Sequence, residues 1–434
     1  MNSCGDLAIL AWSDLGAILR TRAVPLDQLP TKARFGVGWT AAGAAVTPFD
    51  GVVPNPWGPM DEVRQVPVEG ASVIVPARDH IPAMHLHLTR ALDKDGRPAD
   101  SCPRNFCEAA LSKLETETGW SLWSACEHEF TVTEAPFRFG AGYSVEALRA
   151  AGPFAAEVTA TMRCLDLECF EPEFGKGQYE VSVAPQPALS GPDRAILTRE
   201  VIREIARRHA MRVTFSPKPA PTAVGSGMHI HFSFRDRASQ PILYDVSQSG
   251  LVAPEPASFI AGIIRHIDAL TALCAPTPAS YLRLGPSNWS CGYSAFGVQN
   301  REAALRVCPS PDPGNAAAGI NLELRIPDGT CNPYLATGAL VLAGLAGIRD
   351  RLPLPAIVDS DPHELSSAQR DALGIRALPG SLSAALDALE LDIAAKQWMP
   401  SRLYSTFVKI KRMEAARFTD ASPEELTRVY SSLY

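Results

Sequence analysis

The chain has 434 residues, 46% apolar and 20% charged, with a formal net charge of −7. That is enough apolar sequence for one large core or two, and the acidic balance argues against a nucleic-acid or acidic-membrane binder, which carries a basic surplus. No apolar run approaches the roughly 20 residues of a membrane span, and the ten cysteines contain no Cys-x-x-Cys pair, so free thiols in a reducing cytoplasm are expected.

The opening Met1–Asp6 lacks the basic region of a signal peptide, which also points to a cytoplasmic protein. Residues 7–20 are apolar with little period. Residues 46–59 hold Pro48, Pro54, Pro56 and Pro59, too many for regular structure. Val73-Ile74-Val75 reads as a short strand stopped by Pro76. Met84-His85-Leu86-His87-Leu88 alternates and reads as another, its two histidines forming a polar face rather than a metal site. Together these suggest a small mixed domain over 1–98, followed by a larger one over 99–434.

The larger part begins with a helix from Pro103 to about Thr118. Further helices are expected over Val145–Arg163, Asp193–His209, Phe259–Cys274 and Pro333–Arg349, and in the C-terminal part. Short strands are expected at Leu165–Glu168 and Val213–Ser216. The segment 275–292 reads as a long loop, a length usually reserved for function. Lys409-Ile410-Lys411-Arg412 gives the C-terminal helices a basic face, expected on the solvated surface.

Four strands carry the chemistry. Met228-His229-Ile230-His231-Phe232-Ser233-Phe234 follows a Gly-Ser-Gly turn and alternates strictly, with two imidazoles and a hydroxyl on one face. Glu127-His128-Glu129 sets two carboxylates on one face. Gln178-Tyr179-Glu180-Val181-Ser182 and Asn321-Leu322-Glu323-Leu324-Arg325 repeat the pattern. Each alone reads as an ordinary amphipathic strand. As neighbours in one sheet they form a cage of carboxylates and imidazoles. Clustered acids repel, and a divalent cation is the usual remedy, magnesium or manganese where oxygen donors dominate.

These motifs resemble those of the glutamine synthetases and their γ-glutamyl-amine ligase relatives, in order and over nearly the whole chain. Gly225-Ser-Gly-Met-His-Ile-His-Phe-Ser233 is similar to that family's Gly-Ser-Gly-x-His-x-His-x-Ser. Glu173 and Gly177-Gln178-Tyr179-Glu180 are similar to its Glu-x-x-x-Gly-Gln-x-Glu. Pro276-Thr277 through Ser280-Tyr281-Leu282-Arg283-Leu284, Asn300-Arg301 to Arg306, and Glu323-Leu324-Arg325-Ile326-Pro327-Asp328 complete the set. The resemblance implies an α+β fold: a small N-terminal β-grasp-like domain, then a catalytic domain with a curved antiparallel sheet flanked by helices. It implies a homo-oligomeric ring, commonly a dodecamer, with active sites between subunits. It implies ATP and Mg2+ or Mn2+, with Glu129, Glu173 and Glu180 holding one ion and Glu127, His229 and Glu323 the second. Arg306 and Arg325, with Arg301 nearby, would stabilise the phosphoryl group. Arg283 and Gly225 would hold the α-carboxylate of glutamate or a similar acid. His231, Ser233 and Glu168 would touch the nucleotide.

The departures from the family lie on the substrate side. Ammonia-using members carry a Glu six residues after the clamp arginine, and here Trp289 stands there. Trp cannot accept a proton, but it packs against an alkyl or aryl group. Val224 replaces an Asn, and Ala318 and Asn321 replace basic residues. The expectation is therefore an ATP-dependent ligase forming a γ-glutamyl amide with an amine larger than ammonia, Trp289 lining the amine entrance. The alternatives are glutamine synthetase itself, a guanidine-kinase-type phosphotransferase and a non-catalytic relative.

Overall fold

The computed structural model describes residues 6–286 and 288–434. The reading of the first residues as lacking a basic leader falls largely on 1–5 and lies outside the described residues. β1 (Leu7–Ser13), β2 (Leu19–Pro25), β3 (Val37–Thr40), β4 (Glu62–Val75) and β5 (Met84–Leu92) form one sheet, ordered β2-β1-β5-β4-β3. The stretch with little period is the antiparallel β1–β2 hairpin. Its period is masked because Ala8, Leu10 and Ala11, on both faces of β1, are all fully buried. Val73–Val75 is only the end of a 14-residue strand. His85 and His87 alternate with the buried Leu86 and Leu88, and among the described residues they join no group of metal-ligating side chains.

The second sheet comprises β6 (Ser121–Glu134), β7 (Leu167–Pro172), β8 (Gln178–Val183), β9 (Gln186–Pro187), β10 (Arg212–Thr214), β11 (Met228–Arg235), β12 (Tyr293–Val298), β13 (Ala303–Cys308) and β14 (Asn321–Leu324). Its order is β12-β13-β14-β11-β6-β8-β7, with β9 and β10 pairing on β6. The four strands expected to carry acids and histidines are consecutive: β14, β11, β6, β8. All pairs are antiparallel except β12–β13, which is parallel, so the sheet is mixed rather than purely antiparallel.

One face of this sheet is the core. Met228, Ile230, Phe232 and Phe234 are at most 1% exposed, and Phe234 meets Phe259 edge-on with ring centroids 4.9 Å apart. The helix Pro103–Thr118 starts after extended Cys102 and stops at Gly119, whose φ of 77° only glycine adopts freely. Asp193 lies inside the helix Ser190–Arg208 rather than at its start. There it takes two hydrogen bonds from Arg104, at 2.9 and 2.8 Å, which tie the two helices together. The helix expected over Val145–Arg163 is two, Val145–Ala150 and Gly152–Met162, because Pro153 lacks an N–H to continue the first. The helix expected over Phe259–Cys274 begins at Pro254 and bends by 72° at His266. Among the described residues no single helix is long and apolar enough to cross a membrane. The helix Pro333–Arg349 is capped by the Asn332 side chain, which accepts from the Tyr334 and Leu335 amides.

The basic run needs correction. Lys411 is fully buried and donates to Glu414 Oε2 at 2.8 Å, while Tyr430 OH donates to Glu414 Oε1 at 2.6 Å. Lys411 shares a helix face with the buried Phe407, Ile410 and Glu414 at helical spacing, so it turns inward despite its charged neighbours.

Candidate active site

The strand registers assemble the polar face directly. His229 lies opposite Glu127, and Glu129 opposite Glu180. His231 lies opposite Glu323, which lies opposite Arg306. Between Glu127 and Glu129, His128 points the other way into the core, where burial and then the Arg199 charge push its pKa down to about 3.

Two ligand groups result. The first gathers oxygens of Glu171, Glu173 and Glu180 within 4.8 Å of one another, with Glu129 across from Glu180. Burial and the charges of Glu127, Glu129 and Glu173 push the Glu180 carboxyl up to about 10. Burial and the Glu129 charge also raise Glu173, against the steadying of the Phe174 amide and the Tyr143 hydroxyl. Glu171 and Tyr143 were not singled out from the sequence. Glu171 had a signal, since it shares a strand face with Glu173; Tyr143 had none.

The second group gathers Glu127, His231 and Glu323. Asn321 Nδ2 donates to Gly319 O, which leaves its Oδ1 to accept from His231 Nδ1 at 2.8 Å. In the neutral form this tautomer leaves the lone pair on His231 Nε2, which lies 3.1 Å from Glu127. Burial opposes charge on His231, but the Cys308 thiol and the Glu127 and Glu323 carboxylates outweigh it and raise its pKa well above the imidazole range. His229 stands between the groups. Its Nδ1 is 3.6 Å from Glu127 and 3.4 Å from Glu323, and its Nε2 is 3.8 Å from Glu129. Burial and the Arg325 charge lower its pKa, so the neutral, ligand form is favoured. Burial opposes ionisation of Glu323, and His229, Arg325 and His231 overcome it, holding the carboxyl at about 2. An acid cluster without enough cationic partners, with the neutral His229 imidazole standing among its carboxylates, fits divalent cations.

The arginines sit around Glu323. Arg306 Nη1 donates to Glu323 Oε2 at 2.8 Å, and Arg325 Nη1 donates to Oε1. Arg325 Nη2 donates to the Trp289 carbonyl at 3.1 Å. Arg301, in the β12–β13 turn, is exposed and close enough to Tyr143 for its charge to act on that hydroxyl. Arg283 is 3% exposed. It donates to the carbonyls of Ile326 and Arg325, each at 2.9 Å, and its Nη2 is 3.2 Å from His229 Nε2. Gly225 and Gly227 leave room for it: a Cβ on either would come within 2.8 Å of the Arg283 side chain. Gln178 binds this turn to the first group, donating to Gly225 O at 2.8 Å and to Glu129 at 3.1 Å.

Two expected nucleotide residues lie away from the groups. Ser233 is further along β11, opposite Trp123. Glu168 sits at the β7 bulge in the wall of a separate open cavity of about 720 Å³, with Leu148, Arg149 and Cys169.

A sequence model described as "Glutamine synthetase, catalytic domain" matches residues 100–430. The chain belongs to the glutamine synthetase family. Members are ATP-dependent ligases, and this chain is a ligase of that class. It is 29% identical to gamma-glutamylpolyamine synthetase GlnA3 of Streptomyces coelicolor, over 98% of the chain and 93% of that protein. It is 32% identical to a glutamine synthetase of Methanocaldococcus jannaschii, over 77% of the chain and 75% of that protein. Among solved structures, a novel glutamine synthase homolog superposes with a TM-score of 0.91 at 36% identity, covering all of both chains. An ADP complex of GmaS superposes with a TM-score of 0.83 at 25% identity, over 98% of this chain and 96% of that one. The glutamine synthetase fold, with its small sheet and larger mixed sheet, is thereby established for this protein.

Proposed function

We propose that this family member joins the γ-carboxylate of glutamate, or a similar acid, to an amine larger than ammonia. One observation carries the amine: Trp289 stands where the ammonia-using enzymes have an acid, and its indole is 70% exposed on a loop tied to Arg325. An indole offers apolar contact to an alkyl or aryl amine and a face to a cation, and it removes a general base. The likeness to a gamma-glutamylpolyamine synthetase over nearly the whole chain supports the same reading.

In this reading Glu129, Glu173 and Glu180, with Glu171, hold one divalent cation, and Glu127 and Glu323 with His229 or His231 hold the other. Bound magnesium or manganese would neutralise the ATP phosphates and the phosphoryl group in transit. Arg306 and Arg325 present guanidiniums beside that position, where fixed positive charge stabilises the transition state without reorganisation. The acid becomes an acyl phosphate, whose phosphate leaves when the amine attacks. Arg283 fixes the floor of the acid site and holds His229 in place. The division at residue 98, a cytoplasmic location and a ring-shaped homo-oligomer belong to the same reading.

One observation favours ammonia instead. The chain is also 32% identical to a glutamine synthetase of Methanocaldococcus jannaschii over 77% of its length, a likeness to an ammonia-using enzyme at an identity as high as that to the polyamine ligase. A panel of primary amines and ammonia, assayed for phosphate release with ATP, magnesium and glutamate, separates the two. Faster turnover with ammonia than with every amine would replace the proposed reading by glutamine synthetase.

A further inference from the structure

Gln178 is 3% exposed and lies two residues before Glu180, on the same face of β8. Its side-chain amide is engaged at both ends. Oε1 accepts from the Gly175 amide at 3.0 Å, which turns the nitrogen to the other side. Nε2 donates to Glu129 Oε2 at 3.1 Å, to Gly225 O at 2.8 Å and to Ser226 Oγ at 3.1 Å. Two N–H groups thus serve three acceptors on two separate segments. Among the described residues this is the one hydrogen bond that the Glu129 carboxylate accepts.

The backbone repeats these ties. The Glu173 amide donates to Gln178 O at 2.9 Å, and the Gln178 amide donates to Gly175 O at 3.0 Å, so the turn that carries Glu173 closes on Gln178. A glycine at 175 permits the approach, since a Cβ there would lie 2.5 Å from Gln178 Oε1. The Glu129 amide in turn donates to Gly227 O at 3.1 Å. One buried residue therefore reaches Glu129 and the Glu173 turn of the first ligand group, and also the glycine turn that packs against Arg283. A neutral amide suits this position. It gives Glu129 a donor without supplying a charge that competes with a cation, whereas an acid would repel Glu129.

We propose that Gln178 is a positioning residue that fixes Glu129 and the Gly225 turn at one separation, so that the first cation site and the acid site are built as a unit. Its action runs through the Glu129 carboxylate on one side and the Gly225 carbonyl on the other. The half of this inference that concerns the acid rests on the proposed function. The half that concerns the cation holds whichever acid and amine are joined.

Two variants of the full-length enzyme test it, Gln178→Met and Gln178→Glu. The measurements are Mg2+ titration calorimetry of the chelator-treated enzyme, and steady-state kinetics at saturating Mg2+ with glutamate and the preferred amine varied in turn. Methionine keeps the length and removes both donor and acceptor. It is expected to weaken one Mg2+ site about 10-fold, the lower end of what removing a residue that orients a metal ligand costs, and to leave the other site unchanged. KM for glutamate is expected to rise about 10-fold, the scale of a lost hydrogen bond in a buried site, with KM for the amine unchanged. The Gln178→Glu side chain keeps the shape and the acceptor for Gly175 but sets an oxygen against Gly225 O, so KM for glutamate should rise at least as far. Unchanged Mg2+ binding in Gln178→Met would overturn the hold on Glu129, and an unchanged glutamate KM in both variants would overturn the hold on the Gly225 turn. Equal rises in both KM values, or equal weakening of both Mg2+ sites, would reduce Gln178 to general packing and overturn the positioning role. A wild type that turns over no glutamate would count against the proposed function instead, and the Mg2+ isotherms would still decide the role of Gln178.

Discussion

Glu129 and Glu180 face each other directly across the β6–β8 ladder. Like charges at such a cross-strand position destabilise a sheet. The second of them is also pushed up to about 10 by burial and by its acidic neighbours. A cation that neutralises the pair should therefore stabilise the fold. In thermal unfolding after chelation, added Mg2+ is expected to raise the Tm of the wild type, by about 2.7 kcal/mol of stability at 100 times its Kd. Glu180→Gln should be at least as stable as wild type without metal and should lose most of the Mg2+ response. An equal Mg2+ response in the variant would remove Glu180 from the ligands.

Arg325→Ala should lower kcat by roughly 10² to 10³, the scale of removing one transition-state donor. Such a variant would be expected to fold normally if the guanidinium acted on substrate charge alone. The structure changes that expectation, because Arg325 is 3% exposed and paired with the buried Glu323. A loss of about 3 kcal/mol is expected, softened by Arg306, which still holds Glu323. Urea denaturation and single-turnover phosphate release measure the two effects separately. Wild-type turnover in folded Arg325→Ala would refute the role.

Trp289→Glu restores an acid on the amine loop. Turnover with ammonia relative to the best primary amine should rise about 10-fold, near the upper range of one lost cation–π contact. The ratio is read from parallel phosphate-release assays, and a ratio that does not move assigns amine selection to other residues.

Asp392 accepts from His266 Nδ1 at 2.5 Å and from the Ala394 and Ala395 amides, each at 3.0 Å. Burial opposes its charge, but these hydrogen bonds, His266 first, pull its pKa below the ordinary 3.8. A carboxyl lowered on folding contributes stability above its unfolded pKa and loses it as pH falls through the folded value. Asp392→Asn should cost about 1 kcal/mol at pH 7 after allowance for solvent screening. The gap between variant and wild type should close below about pH 3.8. Denaturation across pH 3 to 7 checks the sign, and a gap that widens in acid would contradict it.

The catalytic sheet was legible where one face is wet. The alternation in β6, β8, β11 and β14 exists because polar side chains line a cavity while their neighbours fill the core. β12 and β13 escaped notice for the opposite reason. Ser294, Ala295 and Phe296 are all buried, as are Ala303, Ala304 and Leu305, so no two-residue period survives. Lys411 escaped because a run of charges masks a helical spacing that reads correctly only beside Phe407 and Glu414. In the site, the metal-ligating types were visible as pairs on strands. The contact of Tyr143 with Glu173 and the hold of Arg325 on Trp289 join segments far apart in sequence, and no local pattern encodes them.

Arg306, Glu323 and His231 occupy one row across three adjacent strands. A single inserted or deleted residue within β11 would carry His229 and His231 into the core and bring Ile230 and Phe232 out among the carboxylates. The sheet therefore accepts no graded change in length, and its chemistry is kept whole or lost whole. The loops that reach over it are free of that constraint. New substrates are most readily acquired by lengthening or rewriting the segment around Trp289, with the phosphoryl-transfer floor inherited unchanged.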